Sequence, residues 1–147
     1  MLLYVTLSTL TLSLSPTGEC AMPDHTDYPH GSMEDWDVSS VTDMSDLFSG
    51  ALWFNADISR WDVSRVGDMS GMFQGAMEFN GDLSKWDVSR VKIMASMFRY
   101  ADSFNGDLSN WDVSRVQDTT SMFEGASAFA SSTLEDGRRL NTLIARM

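Results

Sequence analysis

The sequence predicts an α/β repeat solenoid, with short parallel strands on one face and short helices on the other. The main observation is a tetrapeptide, Trp-Asp-Val-Ser, that recurs four times at a constant spacing, beginning at Trp36, Trp61, Trp86 and Trp111. A fixed period of this length is typical of stacked repeats, in which each unit buries its apolar face on the next unit. Two apolar periodicities within the unit predict its strand and its helix.

The predicted strand surrounds each tryptophan, and the predicted helix follows it. Trp86 and Val88 alternate with the polar Asp87, which indicates a strand with one buried face. Apolar residues then recur at steps of three to four, as on one face of a helix: Val66, Met69, Met72, Phe73 and Ala76. Serines precede each predicted helix, where they suit the N-cap: Ser64, Ser89 and Ser114. Glycines stand where the helices should end, where they suit the C-cap: Gly50, Gly75 and Gly125. Together these features predict a leucine-rich-repeat-like coil.

The repeat divides the chain into three parts. Residues 33–130 form the four repeats, because the register fails after Phe129, where Asp136 falls in the tryptophan slot. Residues 131–147 have helical apolar spacing and three arginines, which predicts a C-terminal capping helix with a polar outer face. Residues 1–32 are predicted to form an N-terminal cap.

The first residues have a second interpretation. Residues 2–15 are apolar and about as long as the hydrophobic region of a signal peptide, with a cleavage site near residue 20. They carry no basic residue, however, and residues 7–13 match the Leu83–Ser89 segment by residue type at a spacing one residue off the repeat. A capping strand and a cleaved signal peptide therefore both stand as alternatives.

The repeat resembles a known family. The unit Phe-Asn-x-Asp-Leu-Ser-x-Trp-Asp-Val-Ser-x-Val, followed by Asp-Met-Ser-x-Met-Phe-x-Gly-Ala, is similar to the BspA-like leucine-rich-repeat surface proteins, over roughly two thirds of the chain from Met33 to Phe129. The resemblance implies a secreted or surface-displayed protein, located outside the cell, that acts in adhesion or partner binding. It implies no catalytic residues, because the family has no agreed catalytic motif.

Charge narrows the functional classes. The chain has 21 acidic and 10 basic residues, a net charge of −11, which argues against binding of nucleic acid through phosphate neutralisation. Residues 1–59 hold nine acidic residues and no basic one. This acidic half either keeps the protein soluble or favours basic partners or divalent cations.

The aspartate that follows each tryptophan is the first candidate for function. Asp37, Asp62, Asp87 and Asp112 are predicted to line the exposed face of a sheet, where like charges at about 4.8 Å repel. Three explanations remain open: compensation within the chain by hydroxyls or by Arg65, Arg90 and Arg115, a basic or polar partner, or a calcium-like cation. Calcium is the weakest, since it needs six to eight oxygens; its candidates are Asp62, Asp87 and Asp112.

Positions that vary between repeats are the second candidate. Trp53 lies in a column that otherwise holds Glu78, Ser103 and Ala128, so it is predicted to be exposed, and exposed tryptophans are frequent binding hot spots. Ile93 replaces an aspartate found in the other repeats.

The sequence contains no Ser/His/Asp set, phosphate loop or zinc pattern, so we predict a non-enzyme without cofactor or dedicated metal. The expected function is an interaction module that binds a protein or glycan through the sheet face, as a monomer or by end-to-end association and without a transmembrane segment. The alternative is a structural or cation-dependent surface element with no discrete partner.

Overall fold

A computed structural model describes residues 33–129, and within them the predicted α/β class is wrong. Regular helix is limited to a 3-10 turn, Met33–Asp35, and to residues 127–129. The strand pairing between these limits consists of isolated parallel bridges, Asp43 to Asp68, Asp68 to Ile93 and Ile93 to Asp118. The predicted caps at 1–32 and 131–147 lie outside the described residues.

The described chain is a stack of coils in which each residue lies beside its equivalent in the next repeat. We number them coil 1 (33–57), coil 2 (58–82), coil 3 (83–107) and coil 4 (108–129). Between coils 2 and 3, alternate backbone N–H groups donate to carbonyls of the following coil: Met69 to Ile93 at 3.0 Å, Gly71 to Ala95 at 2.9 Å, Phe73 to Met97 at 2.9 Å and Gly75 to Arg99 at 2.7 Å. The same ladder joins the other neighbouring coils.

Turns, and not helices, occupy the segment where helices were predicted. Other N–H groups of the segment close four-residue turns, such as Gln74 to Gly71 at 2.9 Å and Ala76 to Phe73 at 3.1 Å. Two left-handed positions per coil also exclude a helix, since φ is +60° at Gly71 and +70° at Gly75. Consequently the serines predicted as N-caps and the glycines predicted as C-caps serve turns, because there is no helix to cap in this part of the described chain.

The tryptophan segment is not a strand either. The N–H of Trp86 donates to the Leu83 carbonyl at 3.1 Å, and that of Val91 to the Val88 carbonyl at 2.9 Å, so this side of the coil also consists of turns. No sheet face is therefore available for binding within residues 33–129. The predicted burial of Trp86 is confirmed, and its equivalents Trp61 and Trp111 are buried as well.

Side-chain hydrogen bonds repeat along the stack together with the core. Each buried tryptophan donates its indole N–H to a carbonyl 28 residues earlier: Trp61 Nε1 to Met33 at 2.8 Å, Trp86 Nε1 to Ile58 at 3.2 Å and Trp111 Nε1 to Leu83 at 3.0 Å. An asparagine ladder also joins the coils, because Asn55 Oδ1 accepts the Asn80 N–H at 3.0 Å and Asn80 Oδ1 accepts the Asn105 N–H at 2.9 Å.

Phenylalanines form two stacked columns through the core. Phe73 packs on its equivalents Phe48 and Phe98 with ring centroids 5.7 and 5.5 Å apart, and on Phe79 of its own coil at 4.0 Å. Buried methionines such as Met69 and Met94 fill the space between these columns and the turns. The described stack thus buries a continuous apolar core with almost no regular secondary structure.

Candidate functional site

The aspartates that follow the tryptophans are exposed, and each is bound by its own turn. Oδ1 of Asp37 accepts the N–H and hydroxyl of Ser39 at 3.0 and 2.6 Å. Asp62, Asp87 and Asp112 accept the N–H of the serine two residues on at 3.0 to 3.1 Å. This Asx-turn is a common local use of aspartate. The geometry therefore favours the first of the three explanations, in which hydrogen-bond donors of the chain itself compensate the negative charges of this column.

The same arrangement recurs in two further aspartate columns that the sequence analysis did not single out. Asp43, Asp68 and Asp118 accept from residues 45, 70 and 120, and Asp57 and Asp82 accept from residues 59 and 84. The hydroxyl and N–H of Ser64 hold the pKa of Asp62 below its usual range, and those of Ser89 do the same for Asp87. Repulsion between Asp62 and Asp87 is a smaller contribution, so like charges are tolerated along the stack.

The arginine column stays in solvent. Arg65, Arg90 and Arg115 are exposed. The charges of Arg65 and Arg90 help to lower the pKa of Asp62 and Asp87, after the larger effect of the serine hydrogen bonds. Ile93 is half-buried and bridges Asp68 and Asp118, so it offers only part of the apolar surface that its sequence position predicted.

An exposed apolar patch lies at one corner of coils 1 and 2. The prediction that Trp53 is exposed is confirmed, since 59% of its surface is accessible. Leu52 and Met77 are also exposed, and the Glu78 N–H donates to the Leu52 carbonyl at 3.0 Å, which places the two coils side by side here. We call Leu52, Trp53 and Met77 the apolar patch. In coils 3 and 4 the Leu52 column continues with Asp102 and Ser127, so the patch ends at coil 2.

Sequence reasoning missed Leu52 and Met77, although a signal was present. Both occupy one column, and two large apolar residues followed by Asp102 and Ser127 break the pattern of a core position. Large apolar residues in a column that turns polar one coil later indicate exposure. Comparison of columns would therefore have found the whole patch and not only Trp53.

A second missed cluster lies at Tyr100. Glu124 Oε1 accepts from Arg99 Nη2 at 2.9 Å and from the Tyr100 hydroxyl at 3.1 Å, while the guanidinium lies 4.8 Å from the Tyr100 ring centroid. Hydrogen bonds from Ser121 and then from Arg99 hold the pKa of Glu124 below its usual range. The Tyr100 ring covers Gly125, where a Cβ would collide with it. This cluster ties coil 3 to coil 4.

Two further features bear on metal and membrane. Among residues 33–129 no three His, Cys, Asp or Glu side chains group closely enough to hold a metal ion, so the calcium hypothesis for Asp62, Asp87 and Asp112 gains no support from the geometry. In the same part of the chain, no helix has the length and apolar character needed to span a bilayer.

These features define a class of protein: a turn-built stack of equal-length repeats with an aromatic core and a polar, acidic surface. A family model described as "Mycoplasma protein of unknown function, DUF285" matches residues 21–136, and the chain belongs to this family. Comparison with curated proteins finds no match. Comparison with solved structures finds none either.

Proposed function

We propose that the chain is a non-catalytic interaction module of a secreted or cell-surface repeat protein, and that it binds a protein or glycan through the apolar patch. The proposal keeps the partner class and location predicted from the sequence but replaces the sheet face with the corner formed by Leu52, Trp53 and Met77. The resemblance to the BspA-like surface proteins supports the location and the adhesive role.

The observation that carries the proposal is the exposure of Trp53 beside two other large apolar side chains. Leu52 is 39% and Met77 42% exposed, so this corner carries three large apolar side chains that are open to water. Clustered exposed apolar side chains mark interaction sites, and tryptophan is among the residue types that most often dominate binding. The backbone beneath it is fixed by the ladder between coils, which limits the entropy lost on binding.

The charge around the patch restricts the partner. Glu78 lies at the corner, where its N–H donates to the Leu52 carbonyl, and residues 50–57, 75–82 and 100–107 contain no lysine or arginine. A partner with an apolar or aromatic-stacking group next to a basic or neutral polar surface is complementary to this corner. Sugars meet this description through the stacking of their C–H faces on tryptophan, and so do basic protein segments.

The test compares the full chain with Trp53→Ala and with the matched control Ser103→Ala, which lies two coils away in the same column. Each protein is applied to a glycan array and to a panel of purified extracellular-matrix proteins. We expect Trp53→Ala to weaken any binding by at least about tenfold, and Ser103→Ala to leave it unchanged. Equal binding by all three proteins would overturn the proposal, as would binding by none.

A further inference from the structure

The two ends of the described stack carry complementary rows of backbone groups. The N–H groups of Thr119, Ser121, Phe123 and Gly125 are equivalent to ladder donors in coils 1 to 3, but no acceptor faces them within residues 33–129. At the other end, the equivalent ladder acceptors are the carbonyls of Asp43, Ser45, Leu47 and Ser49, and no donor reaches them among the described residues. Each row has the spacing and direction that the other requires.

Side chains at the two ends have the same complementarity. Trp36 Nε1 is buried and finds no hydrogen-bond partner in the described part of the chain, unlike the indole N–H groups of the three tryptophans that follow. In those three bonds the acceptor is the carbonyl 28 residues before the tryptophan, in the preceding coil. If coil 4 of another copy preceded coil 1, the equivalent acceptor for Trp36 would be the Leu108 carbonyl of that copy. An unpaired buried donor is costly, so this position favours an acceptor.

The core is also incomplete at both ends. Val41 and Val116 are half-buried, whereas their equivalents Val66 and Val91 have no accessible surface. In coil 4, a cavity of about 340 Å³ is lined by residues 110–114, the segment on which the tryptophan of a following coil would lie. Among the described residues, apolar surface is therefore left open at each end of the stack.

The flanking sequence does not match these ends in register. After coil 4 the Leu, Trp and Val positions hold Thr133, Asp136 and Arg138, and before coil 1 the Trp and Val positions hold Thr11 and Ser13. Coil 1 of another copy, by contrast, supplies Trp36 and Val38 in these positions. The repeats themselves are thus the sequence that fits the ends best.

We propose that copies of this chain stack head to tail, with coil 1 of one copy continuing coil 4 of the next. In the junction, the N–H groups of residues 119, 121, 123 and 125 donate to the partner's carbonyls at positions 43, 45, 47 and 49. The indole N–H of the partner's Trp36 donates to the Leu108 carbonyl. Since the two surfaces differ and the contact extends the stack in line, growth does not close at a dimer. The argument for the junction uses none of the three residues of the apolar patch, so this proposal stands independently of the binding function.

Two charge-introducing variants block one end each. In Val41→Lys the ammonium reaches water in a single copy but is buried in the junction at the N-terminal end, and Val116→Lys does the same at the C-terminal end. Gln117→Lys is the matched control, because it adds the same charge beside Val116 in an exposed column that already contains Lys92.

Sedimentation velocity of the full chain and these variants over a wide concentration range tests the proposal. We expect the wild type and Gln117→Lys to grow with concentration past the dimer, and each blocking variant alone to stay monomeric. An equimolar mixture of Val41→Lys and Val116→Lys should form heterodimers and nothing larger, since only one pair of ends remains compatible.

Several results would overturn the proposal. A wild type that stays monomeric would mean that other parts of the chain cover the ends, and a wild type that stops at a dimer would mean a symmetric contact. If a lysine variant does not fold, as judged by tryptophan fluorescence, Trp36→Phe replaces it. We expect Trp36→Phe to weaken association by about fivefold through the lost hydrogen bond, and unchanged association would contradict the junction.

Discussion

Replacement of a tryptophan by phenylalanine should lower stability inside the stack but leave it almost unchanged at the first coil. Trp86 is buried, and its indole N–H donates to the Ile58 carbonyl at 3.2 Å. Trp36 is half-buried and stacks on Trp61 at 6.5 Å, but its indole N–H has no partner within residues 33–129. The same chemical change therefore removes a hydrogen bond at one position and an unsatisfied donor at the other.

The magnitudes follow from these contacts. At Trp86 the lost hydrogen bond costs about 1 kcal/mol, since the Ile58 carbonyl keeps the Trp61 N–H at 3.1 Å as a second donor. The smaller ring leaves a cavity of roughly 40 Å³, worth about 1 kcal/mol at about 24 cal/mol per Å³. We expect Trp86→Phe to lower the free energy of unfolding by about 2 kcal/mol. At Trp36 the relief of an unpaired donor offsets the lost packing, and the expected change is about zero.

Urea unfolding followed by the fluorescence of the remaining tryptophans measures both variants, at a concentration low enough to keep the chain monomeric. For a typical slope of about 1 to 3 kcal/mol per M, Trp86→Phe should lower the midpoint by about 1 M. An unchanged slope is the check that both variants unfold from a comparable native state. Equal losses in the two variants would refute the reasoning, because the indole hydrogen bond would then have no role in joining the coils.

Three further predictions concern the turns. Gly71→Ala should destabilise the fold by about 2 kcal/mol, because φ is +60° and the new Cβ meets the Asp46 carboxylate. Ser96→Gly, at the equivalent position with φ +57°, should be neutral or stabilising. The urea midpoints of the two variants test this difference. Asp62→Asn keeps the acceptor for the Ser64 N–H and should retain the melting temperature with or without calcium. Asp62→Ala removes the acceptor and should lower the melting temperature. A calcium-dependent rise in the melting temperature of the parent chain would contradict this. Because the pKa of the turn aspartates, such as Asp62, is lowered in the folded state, their stabilisation is complete above their unfolded pKa near 3.8. Thermal melts between pH 7 and acid should accordingly show stability falling only below about pH 4, and a loss beginning near neutrality would exclude these groups as its cause.

The sequence predicted the stacking partners better than the backbone between them. The constant repeat spacing places Asn55 beside Asn80 and Trp61 beside Trp86, whatever conformation the chain adopts between them. It also distinguishes Trp53, whose column changes type in every coil, from the core tryptophans. Both inferences depend only on the comparison of equivalent positions, and contacts between coils confirm them.

The helix prediction failed because consecutive turns imitate a helical pattern. A chain that closes a turn every three to four residues returns its apolar side chains to the same side at that interval, as at Met69, Phe73 and Ala76. Two of the intervening residues, Gly71 and Gly75, are left-handed, which no α-helix interior permits. Glycine at position 71, within the apolar run, was the available signal against a helix. Ser96 and Ser121 take the same conformation without being glycine, so their residue type could not reveal it.

The candidate site was missed in part for a related reason. Regular aspartate columns draw attention as possible cation or partner sites, yet each carboxylate such as Asp87 is bound by the next turn of its own backbone. A residue repeated in every coil serves the coil. The two proposals therefore rest on the departures from the repeat, namely the apolar patch and the two ends.

Head-to-tail stacking and patch binding are also compatible on energetic grounds. A junction between two copies makes the same kind of hydrogen bonds as a junction between coils 2 and 3, but it must also offset the loss of translational and rotational freedom, about 4 to 15 kcal/mol. A junction within one chain has no such cost, because the coils are already connected. Association between copies should therefore be much weaker than the fold itself and should respond to local concentration. Since the patch of Leu52, Trp53 and Met77 lies on the side of coils 1 and 2, stacking would repeat it along the assembly, and weak individual contacts would then gain avidity.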